Sequence, residues 1–245
     1  MIDTVTFDLW NTLISNWPQD HDRYKQIRVE GTGRMLKEYG IAVSLDRWAK
    51  AYDDGFERYK QIWSRNSDLS TDEQLKIMWD ILPEEKPKTI SADLMERLVE
   101  AYTSPLLIYP PPLIEGARET LKQIKEEKFK VGLICNTGRT PGKTIRILLK
   151  QVGIIDCFDT TTFSDELRIR KPDPRIFHHT LTQLKSLPQK SLHVGDVVEL
   201  DILGAKNAGM QSVHLNPDHT PYEQIVPDFT IGHLDELNGI LDKLK

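Results

Sequence analysis

The first apolar residues of the chain form a short run, and a long stretch of helical periodicity follows it. Residues 2–9 (IDTVTFDL) carry β-branched and aromatic side chains in close succession, which predicts a buried strand. Over residues 16–106, apolar positions recur at helical spacing, with Ser70 or Thr71 and Ser91 as N-caps of two helices. Charged residues lie between these apolar positions, so the stretch predicts an amphipathic helical bundle.

Beyond the proline-rich segment at 109–116 (YPPPLIEG), predicted strands and helices alternate along the chain. Apolar and β-branched runs predict strands at 130–135, 158–167, 191–196, 211–215 and 228–231. Helical periodicity predicts helices at 116–128, 140–153, 173–187, 198–210 and 233–244. Strands that alternate with helices imply right-handed crossovers and a parallel sheet.

The first strand is separated from the rest of its sheet by the predicted helical bundle. A single strand does not fold alone, which argues against two independent domains joined by linkers. In open parallel sheets the ligand crevice lies beyond the carboxyl ends of the strands, where a helical insert would form a lid. We therefore predict an α/β fold, a Rossmann-like parallel sheet core with a helical cap inserted after the first strand. The predicted core comprises residues 1–15 and 110–245, and the predicted cap comprises residues 16–109.

Composition and charge place the chain among soluble globular proteins and narrow the choice of partners. Of its 245 residues, 39% are hydrophobic and 28% charged, and the net charge is −5. This acidic balance gives no reason to expect nucleic acid or an anionic membrane as a partner. No apolar run approaches the ~20 residues of a membrane span, and no signal peptide is evident. Two cysteines, Cys135 and Cys157, cannot form a disulfide framework, so we expect a reduced, cytoplasmic setting.

Polar residues follow three of the predicted strands. Asp8 ends the first strand, and the segment CNTGRT (135–140) ends the second. Asp196 ends a third, with Asp201 close behind it, and Lys171 lies between the second and the third. If these strands are neighbours, their carboxylates share one crevice and repel each other unless a cation lies between them. Oxygen ligands of this kind suit Mg²⁺, and Mg²⁺ with a lysine suits a phosphate group.

Each of these features also has a purely structural interpretation. Thr12 could cap the turn after the first strand, and Pro174 could mark the first turn of a helix that follows Lys171. The acids of GDVVELD (195–201) could do no more than favour a helix N-terminus. The order and spacing of the features, rather than any one of them, favour a catalytic site.

Four short motifs together resemble those of the haloacid dehalogenase-like (HAD) superfamily. FDLWNTL (7–13) resembles the first motif, hhhDxDx[TV], and GLICN (132–136) resembles the second, in which a strand ends in Ser or Thr. Lys171 resembles the lysine of the third motif. HVGDVVELDILGAKNAGM (193–210) is similar to the fourth, GDxxxxD followed by GAxxAG, which is the most specific of the four. The resemblance covers essentially the whole chain, and the helical insert resembles the C1 cap of the family.

The resemblance implies a hydrolase with an aspartate nucleophile, favouring a phosphatase that acts on a small phosphorylated metabolite. Asp8 would attack the phosphoryl group in line, and water would then hydrolyse the aspartyl-phosphate. Lys171 would neutralise the nucleophile and the transferring oxygens. The cap would close over the site, exclude water and determine the substrate. Neither nucleic acid nor membrane is implied as a partner, and the oligomeric state is left open.

The resemblance also implies ligands for a metal and for phosphate. Mg²⁺ would be held by Asp8 and by the backbone carbonyl of Trp10. Asp196 would complete the set, with Asp201 in support. The implied phosphate contacts are Thr12, Cys135, Asn136 and Thr137.

Trp10 departs from the pattern of the family. In typical phosphatases of the family this position holds a second Asp, which is the general acid for the leaving group and the general base for water. An indole N–H is only a donor and does not titrate usefully. Because general acid–base catalysis is worth roughly 10²–10⁴-fold, hydrolysis of alkyl phosphates should be slower by about that factor. Acyl and aryl phosphates have better leaving groups and should suffer less.

Cys135 is a second departure, because the second motif has Ser or Thr at this position. A thiol is a weaker donor than a hydroxyl, so its grip on phosphate would be reduced, and Thr137 could substitute. Cys135 could equally be a small buried packing residue.

Two other functions remain open from the sequence. Dehalogenases of the family carry Tyr at the Trp10 position and displace halide without a metal, but their fourth motif is of a Ser-x-Asn type. Asp196 and Asp201 therefore favour Mg²⁺-dependent phosphate chemistry. The third possibility is a protein that binds phosphate ligands or a partner protein with little turnover.

Some cationic and aromatic residues allow more than one interpretation. Arg139 and Lys143 could contact an anionic substrate, but their position after CNTG favours a solvated helix start. The aromatic residues of the predicted cap recur at helical spacing, which predicts core packing with a few facing the substrate cleft. They are Trp48, Tyr52, Tyr59 and Trp63.

Overall fold

The computed structural model describes residues 1–15, 20–82, 86–221 and 224–244. Within these residues, six strands form one sheet at the centre of the protein. They are β1 (Thr4–Phe7), β2 (Lys130–Cys135), β3 (Thr160–Phe163), β4 (Ser191–Gly195), β5 (Gln211–Leu215) and β6 (Phe229–Ile231). Their order across the sheet is β3-β2-β1-β4-β5-β6, and every neighbouring pair is parallel. The predicted parallel sheet is confirmed.

The first strand occupies the middle of this sheet, between β2 and β4. The register places Thr6 beside Gly132 on one side and beside His193 on the other. Because the strands are parallel, their carboxyl ends lie at the same edge, and β1 stands at the point where the strand order reverses. Ligand crevices of open α/β sheets form at this kind of switch point.

Helices fill the stretch between β1 and the proline-rich segment at 109–116, as the periodicity predicts. Those described there are α1 (Asp20–Glu38), α2 (Leu45–Trp63), α3 (Thr71–Ile81), α4 (Ala92–Thr103) and α5 (Pro105–Ile108). The Ser70 hydroxyl and the Glu73 carboxylate form a reciprocal capping box at the start of α3, and Ser91 caps α4. We call these five helices and their connections the helical insert.

The other helices cover the two faces of the sheet. They are α6 (Ala117–Glu126), α7 (Gly142–Gln151), α8 (Ser164–Leu167), α9 (Pro174–Gln183), α10 (Leu203–Asn207) and α11 (Leu237–Leu244). Single 3₁₀ turns lie at Ile155–Cys157, Pro188–Lys190 and Leu234–Glu236.

The segment predicted as a helix over 198–210 begins differently, with a wider turn of π type at Val198–Ile202. Within this turn the Asp201 carboxylate bonds back to the backbone N–H of Val197 at 3.0 Å, and only then does α10 begin. Wide turns of this kind recur at functional sites, where they redirect a side chain.

The described residues form three hydrophobic clusters. The largest packs around the sheet and includes Val5 and Phe7, and a second lies among the insert helices and includes Trp48. The third includes Ile134 of β2 and Phe177 of α9. The predicted fold class, a parallel sheet core with helices inserted after the first strand, is confirmed. The domain limits stay a prediction, and the predicted start of the cap at residue 16 lies outside the described residues. Among the helices that the structure describes, none is long and apolar enough to cross a membrane.

Gly142, the first residue of α7, should be hard to replace because a ring packs against it. A Cβ at this position would lie 2.5 Å from two ring carbons of Phe163. We expect Gly142→Ala to lower the free energy of unfolding by about 1–3 kcal/mol, the usual cost of overpacking a core. Gly239→Ala is the matched control, because its Cβ would meet nothing within 4 Å on the exposed face of α11. The control should be stabilised by roughly 0.5–1 kcal/mol in urea denaturation, and equal effects of the two changes would contradict this packing.

Candidate active site

The carboxyl ends of the three central strands bring together residues that are far apart in sequence. Asp8 follows β1 directly, and its backbone N–H still bonds to the Val194 carbonyl of β4 at 2.9 Å. Asn136 follows β2 and Asp196 follows β4. The sheet register therefore fixes these side chains at one edge, where the loops after the strands close around them.

Three carboxylates form a cluster at this edge. Oxygens of Asp8, Asp196 and Asp201 all lie within 4.8 Å of one another, and the first and third of these residues are buried. The Thr12 hydroxyl lies 3.4 Å from Asp8 Oδ2 and 3.5 Å from Asp196 Oδ1. All the predicted metal-binding carboxylates thus meet, with the predicted hydroxyl between two of them.

Lys171 supplies a positive charge inside the cluster. Its Nζ donates to Asp8 Oδ1 at 2.5 Å and to Asp201 Oδ1 at 2.6 Å, and the residue is 2% exposed. Asn136 fixes the backbone of this lysine, because its Oδ1 accepts from Lys171 N at 2.8 Å and its Nδ2 donates to Lys171 O at 3.0 Å. These two hydrogen bonds hold the backbone of the lysine in place, and the phosphate contact predicted for Asn136 stays a prediction.

Asp201 is held from a further side by His193, a buried residue of β4 that was not among the predicted site residues. His193 Nε2 lies 3.2 Å from Asp201 Oδ1, and its Nδ1 lies 2.9 Å from the Thr6 hydroxyl. Burial lowers the pKa of His193, so the neutral ring donates to Asp201 and accepts from Thr6. This series of hydrogen bonds becomes visible only when β1 and β4 are paired in the sheet. A single histidine inside a strand has no sequence spacing that would indicate such a role.

The charges of the cluster do not balance. Burial, with Asp201 and Asp196 adding to it, raises the pKa of Asp8 to about 7 although Lys171 opposes the shift. Burial and the charge of Asp201 likewise raise the pKa of Asp196 to about 6. Asp201 itself has a lowered pKa despite its burial, because Lys171 and His193 stabilise its charge. One lysine among three carboxylates therefore leaves excess negative charge in a buried place.

This excess charge is what a divalent cation would offset. The cluster offers only oxygen donors, which is the donor set that Mg²⁺ prefers. The Trp10 carbonyl accepts no hydrogen bond from any residue in the described part of the chain, so it is available as a further oxygen ligand. The residues of the site fit Mg²⁺.

Two of the predicted phosphate contacts, Cys135 at the end of β2 and Thr137 in the loop after it, are buried and bonded or packed within the protein. Cys135 is fully buried within the core around the sheet, and burial raises the pKa of its thiol well above the ordinary value. Thr137 is also fully buried, with its N–H donating to Ser164 Oγ at 2.8 Å and its hydroxyl 3.3 Å from Asp68 Oδ2. The phosphate-binding roles of both residues stay predictions.

Asp68 reaches this loop from the helical insert, out of the connection between α2 and α3. Its carboxylate accepts from Ser164 Oγ, from Arg170 Nη1 at 2.6 Å and from Trp63 Nε1 at 2.8 Å, and it is fully buried. The side chain thus joins the insert to the loops of the core. Asp68 was not predicted, because its sequence neighbourhood is an ordinary loop and its partners come from distant segments.

A cavity of about 440 Å³ lies between the helical insert and the core, and we call it the insert–core cavity. Trp10, Asn136 and Thr137 line its core side, and Tyr52 and Trp63 line its insert side. Trp10 therefore forms part of the cavity wall, two residues beyond Asp8. The prediction that a few aromatic residues of the insert face a cleft agrees with this arrangement.

Comparison with known proteins points to one family. Residues 2–209 match the family model of haloacid dehalogenase-like hydrolases. The glyceraldehyde 3-phosphate phosphatase of Pyrococcus furiosus is 28% identical over 250 residues, covering 99% of this chain and 94% of that protein. The pyrimidine 5'-nucleotidase YjjG of Escherichia coli is 36% identical over 150 residues, covering 60% of this chain and 64% of that protein. The solved 2-haloacid dehalogenase of Pseudomonas syringae pv. Tomato DC3000 matches over 100% of both chains with a TM-score of 0.70 at 22% identity, a likeness of fold.

Removal of the buried lysine should destabilise the protein strongly. Lys171→Met leaves the carboxylates of Asp8 and Asp201 without their cation, and breaking a buried ion pair costs about 3–5 kcal/mol. Lys206→Met is the matched control, because its ion pair with Asp228 at 3.1 Å lies at the surface, where such pairs contribute roughly 0–1 kcal/mol. Urea denaturation in metal-free buffer measures both. A loss for Lys171→Met no larger than that of the control would contradict the described pairing.

Proposed function

The chain belongs to the haloacid dehalogenase-like hydrolase family, and on that premise we propose that it is a Mg²⁺-dependent phosphatase. Its substrate would be a small phosphorylated metabolite, and Asp8 would be the nucleophile. The observation that carries this proposal is the Lys171 ammonium shared by Asp8 and Asp201 within the cluster of three carboxylates. The names of the relatives, a phosphatase and a nucleotidase, agree with chemistry on a phosphate ester.

In the first step a carboxylate oxygen of Asp8 attacks phosphorus as the bond from phosphorus to the ester oxygen breaks. The products are an aspartyl-phosphate and an alcohol, whose oxygen takes its proton from solvent. Lys171 and the Thr12 hydroxyl contact opposite oxygens of the Asp8 carboxylate, so they fix its orientation before the attack. Water then attacks the phosphorus of the acyl phosphate, which releases inorganic phosphate and restores Asp8.

Mg²⁺ would be held by Asp8, Asp196 and the Trp10 carbonyl, with Asp201 supporting the site through Lys171 and His193. When bound, the ion neutralises charge on the transferring phosphoryl oxygens. The excess negative charge of the cluster supports this assignment.

The helical insert, in the predicted range of residues 16–109, would act as a cap over the core of residues 1–15 and 110–245. Its buried contacts with the loops of the core, such as Asp68 with Arg170, support a closed arrangement that limits the access of water. The insert–core cavity beneath it would hold the part of the substrate that does not react.

Because of Trp10, we expect the rate of hydrolysis to depend strongly on the leaving group. No carboxylate stands two residues after Asp8 to protonate an alkoxide, and the half-buried indole has no proton to give at neutral pH. Aryl and acyl phosphates release stable anions, so the proposed enzyme would favour them over alkyl phosphates.

The proposed chemistry can be tested directly by replacing the nucleophile. Wild-type protein should release p-nitrophenol from p-nitrophenyl phosphate with Mg²⁺ and lose this activity in EDTA, while Asp8→Asn should fall to background. Asp156→Asn, at an exposed acid of the 3₁₀ turn before β3, is the control and should keep full activity. No Mg²⁺-dependent turnover in wild type, with no loss in Asp8→Asn, would contradict the proposal. Chloride release from 2-chloropropionate without metal would favour a dehalogenase instead, and ligand binding without turnover would favour a binding protein.

A second test concerns the missing general acid. Trp10→Asp should raise the rate on alkyl phosphates by up to about 10²–10⁴-fold, because it restores a proton donor, and should change aryl phosphates less. Trp10→Phe removes the indole without adding an acid and is the control. Initial rates on glyceraldehyde 3-phosphate and p-nitrophenyl phosphate give the comparison. Unchanged alkyl rates in a folded, Mg²⁺-binding Trp10→Asp variant would show that another feature, such as the insert or Cys135, limits catalysis.

A further inference from the structure

Two arginines of the insert–core cavity form no ion pair with any carboxylate in the described part of the chain, although one further acid, Asp22, also lines the cavity. Its volume of about 440 Å³ lies in the ~300–1,000 Å³ range of small-molecule sites. The cavity is next to the reacting groups, because Asn136 lines it and also holds the backbone of Lys171, which contacts Asp8. The cavity therefore borders the proposed reaction site.

Arg28 is the first of these arginines and comes from α1 in the insert. It is 7% exposed, its Nε donates to the Tyr102 carbonyl at 2.9 Å, and its Nη2 donates to Thr140 Oγ1 at 3.1 Å. Both acceptors are neutral. A guanidinium has five N–H groups, so Arg28 retains donors for a ligand.

Arg139 is the second, and it comes from the loop after β2. Its Nη1 donates to the Tyr102 hydroxyl at 2.8 Å and its Nη2 donates to the Tyr52 carbonyl at 3.3 Å. The guanidinium also stacks over the ring of Tyr52, 3.5 Å from the ring centroid. This position is not the solvated helix start that the sequence favours, and both acceptors are again neutral.

Two other cations of the cavity are neutralised by the protein itself. Lys25 Nζ lies 2.8 Å from Asp53, and Arg170 Nη1 lies 2.6 Å from Asp68. Arg28 and Arg139 thus differ from Lys25 and Arg170 in that they have no ion-pair partner among the described residues. A buried charge without a counter-ion is costly, so an anion that enters the cavity gains from both guanidiniums.

We propose that Arg28 and Arg139 bind a second anionic group of the substrate. The substrate is then a phosphate monoester that carries a carboxylate or a further phosphate at its non-reacting end. Tyr52, Phe56 and Trp63 line the same cavity and suit a flat or apolar body between the two charges. This inference rests on the proposed function, because it assigns the reacting phosphate to Asp8.

The other large depression beside the carboxylate cluster does not suit an anion. It measures about 880 Å³ and is lined by Asp196, Glu199 and Asp218. No lysine or arginine lines it among the residues that the structure describes. An anionic group would be repelled there, which leaves the insert–core cavity as the place for it.

The experiment compares 4-carboxyphenyl phosphate with 4-carbamoylphenyl phosphate, which differ in charge but little in shape. Both have aryl leaving groups, so the missing general acid affects them alike. Phosphate release with Mg²⁺ should give a kcat/KM about 10- to 100-fold higher for the carboxylate ester, the range that hydrogen bonds to charged groups provide. 1,4-Phenylene bisphosphate distinguishes the two sources of charge, because its preference over the carboxylate ester would assign a phosphate to the arginine pair.

Variants of the arginines locate the effect. Arg139→Gln and Arg28→Gln should each reduce the preference for the carboxylate ester to within about threefold. The preference is the ratio of kcat/KM for the two esters in the same variant, so a general loss of activity cancels out of it. Arg58→Gln, at an exposed position of α2 outside the cavity, is the control and should keep the full preference. If Arg28→Gln folds poorly, the inference is still tested by the comparison of the two esters in the wild-type protein.

The outcomes separate this inference from the proposed function. Equal kcat/KM for the charged and neutral esters in wild type would overturn the inference and leave the phosphatase standing. If wild type hydrolyses none of the esters, the proposed function fails, and calorimetric binding to Asp8→Asn then decides the inference. Tighter binding of the carboxylate ester, lost on adding Arg139→Gln, supports the anion site, and equal binding of both esters overturns it.

Discussion

A single buried lysine makes the arrangement at the sheet edge possible. Three carboxylates cannot share a buried space without compensation, and the Lys171 ammonium, within 2.6 Å of both Asp8 and Asp201, supplies the first part of it. Asn136 fixes the backbone of that lysine with two hydrogen bonds. The remaining excess of negative charge makes the site a natural place for a divalent cation, so one electrostatic constraint links the fold, the metal preference and the proposed chemistry.

Buried polar contacts join the helical insert to the core. Asp68 reaches the loops of the core from the insert, while Arg139 reaches in the opposite direction to Tyr52 and Tyr102. Polar contacts of this kind are directional, so they fix how the two parts face each other more closely than apolar packing would. The insert–core cavity is a consequence, because its walls come from both sides and its shape depends on these contacts.

Trp10 connects the two halves of the proposed mechanism. Its backbone carbonyl could bind a metal, as the carbonyl of any residue could. Its side chain, however, stands where the family pattern has a proton-donating Asp, and the residue lines the cavity instead. In the proposed mechanism, the absence of a general acid would therefore be accompanied by an apolar surface close to Asp8. An enzyme with this wall and two unneutralised arginines would be selective for leaving groups that are stable without protonation and for substrates that bear a second charge.

The sequence by itself determined the alternation of strands and helices, the helical insert and most residues at the sheet edge. These follow from local periodicity and from motifs, since Asp8, Lys171, Asp196 and Asp201 each sit in a short segment of characteristic spacing. Only the tertiary structure decided that Asp68, His193 and Arg139 are buried and which groups they contact. Their partners lie in distant segments, and burial and charge pairing depend on how those segments pack. No local pattern carries that information, and for the same reason the charge left on Arg28 and Arg139 became apparent only when the walls of the cavity were in place.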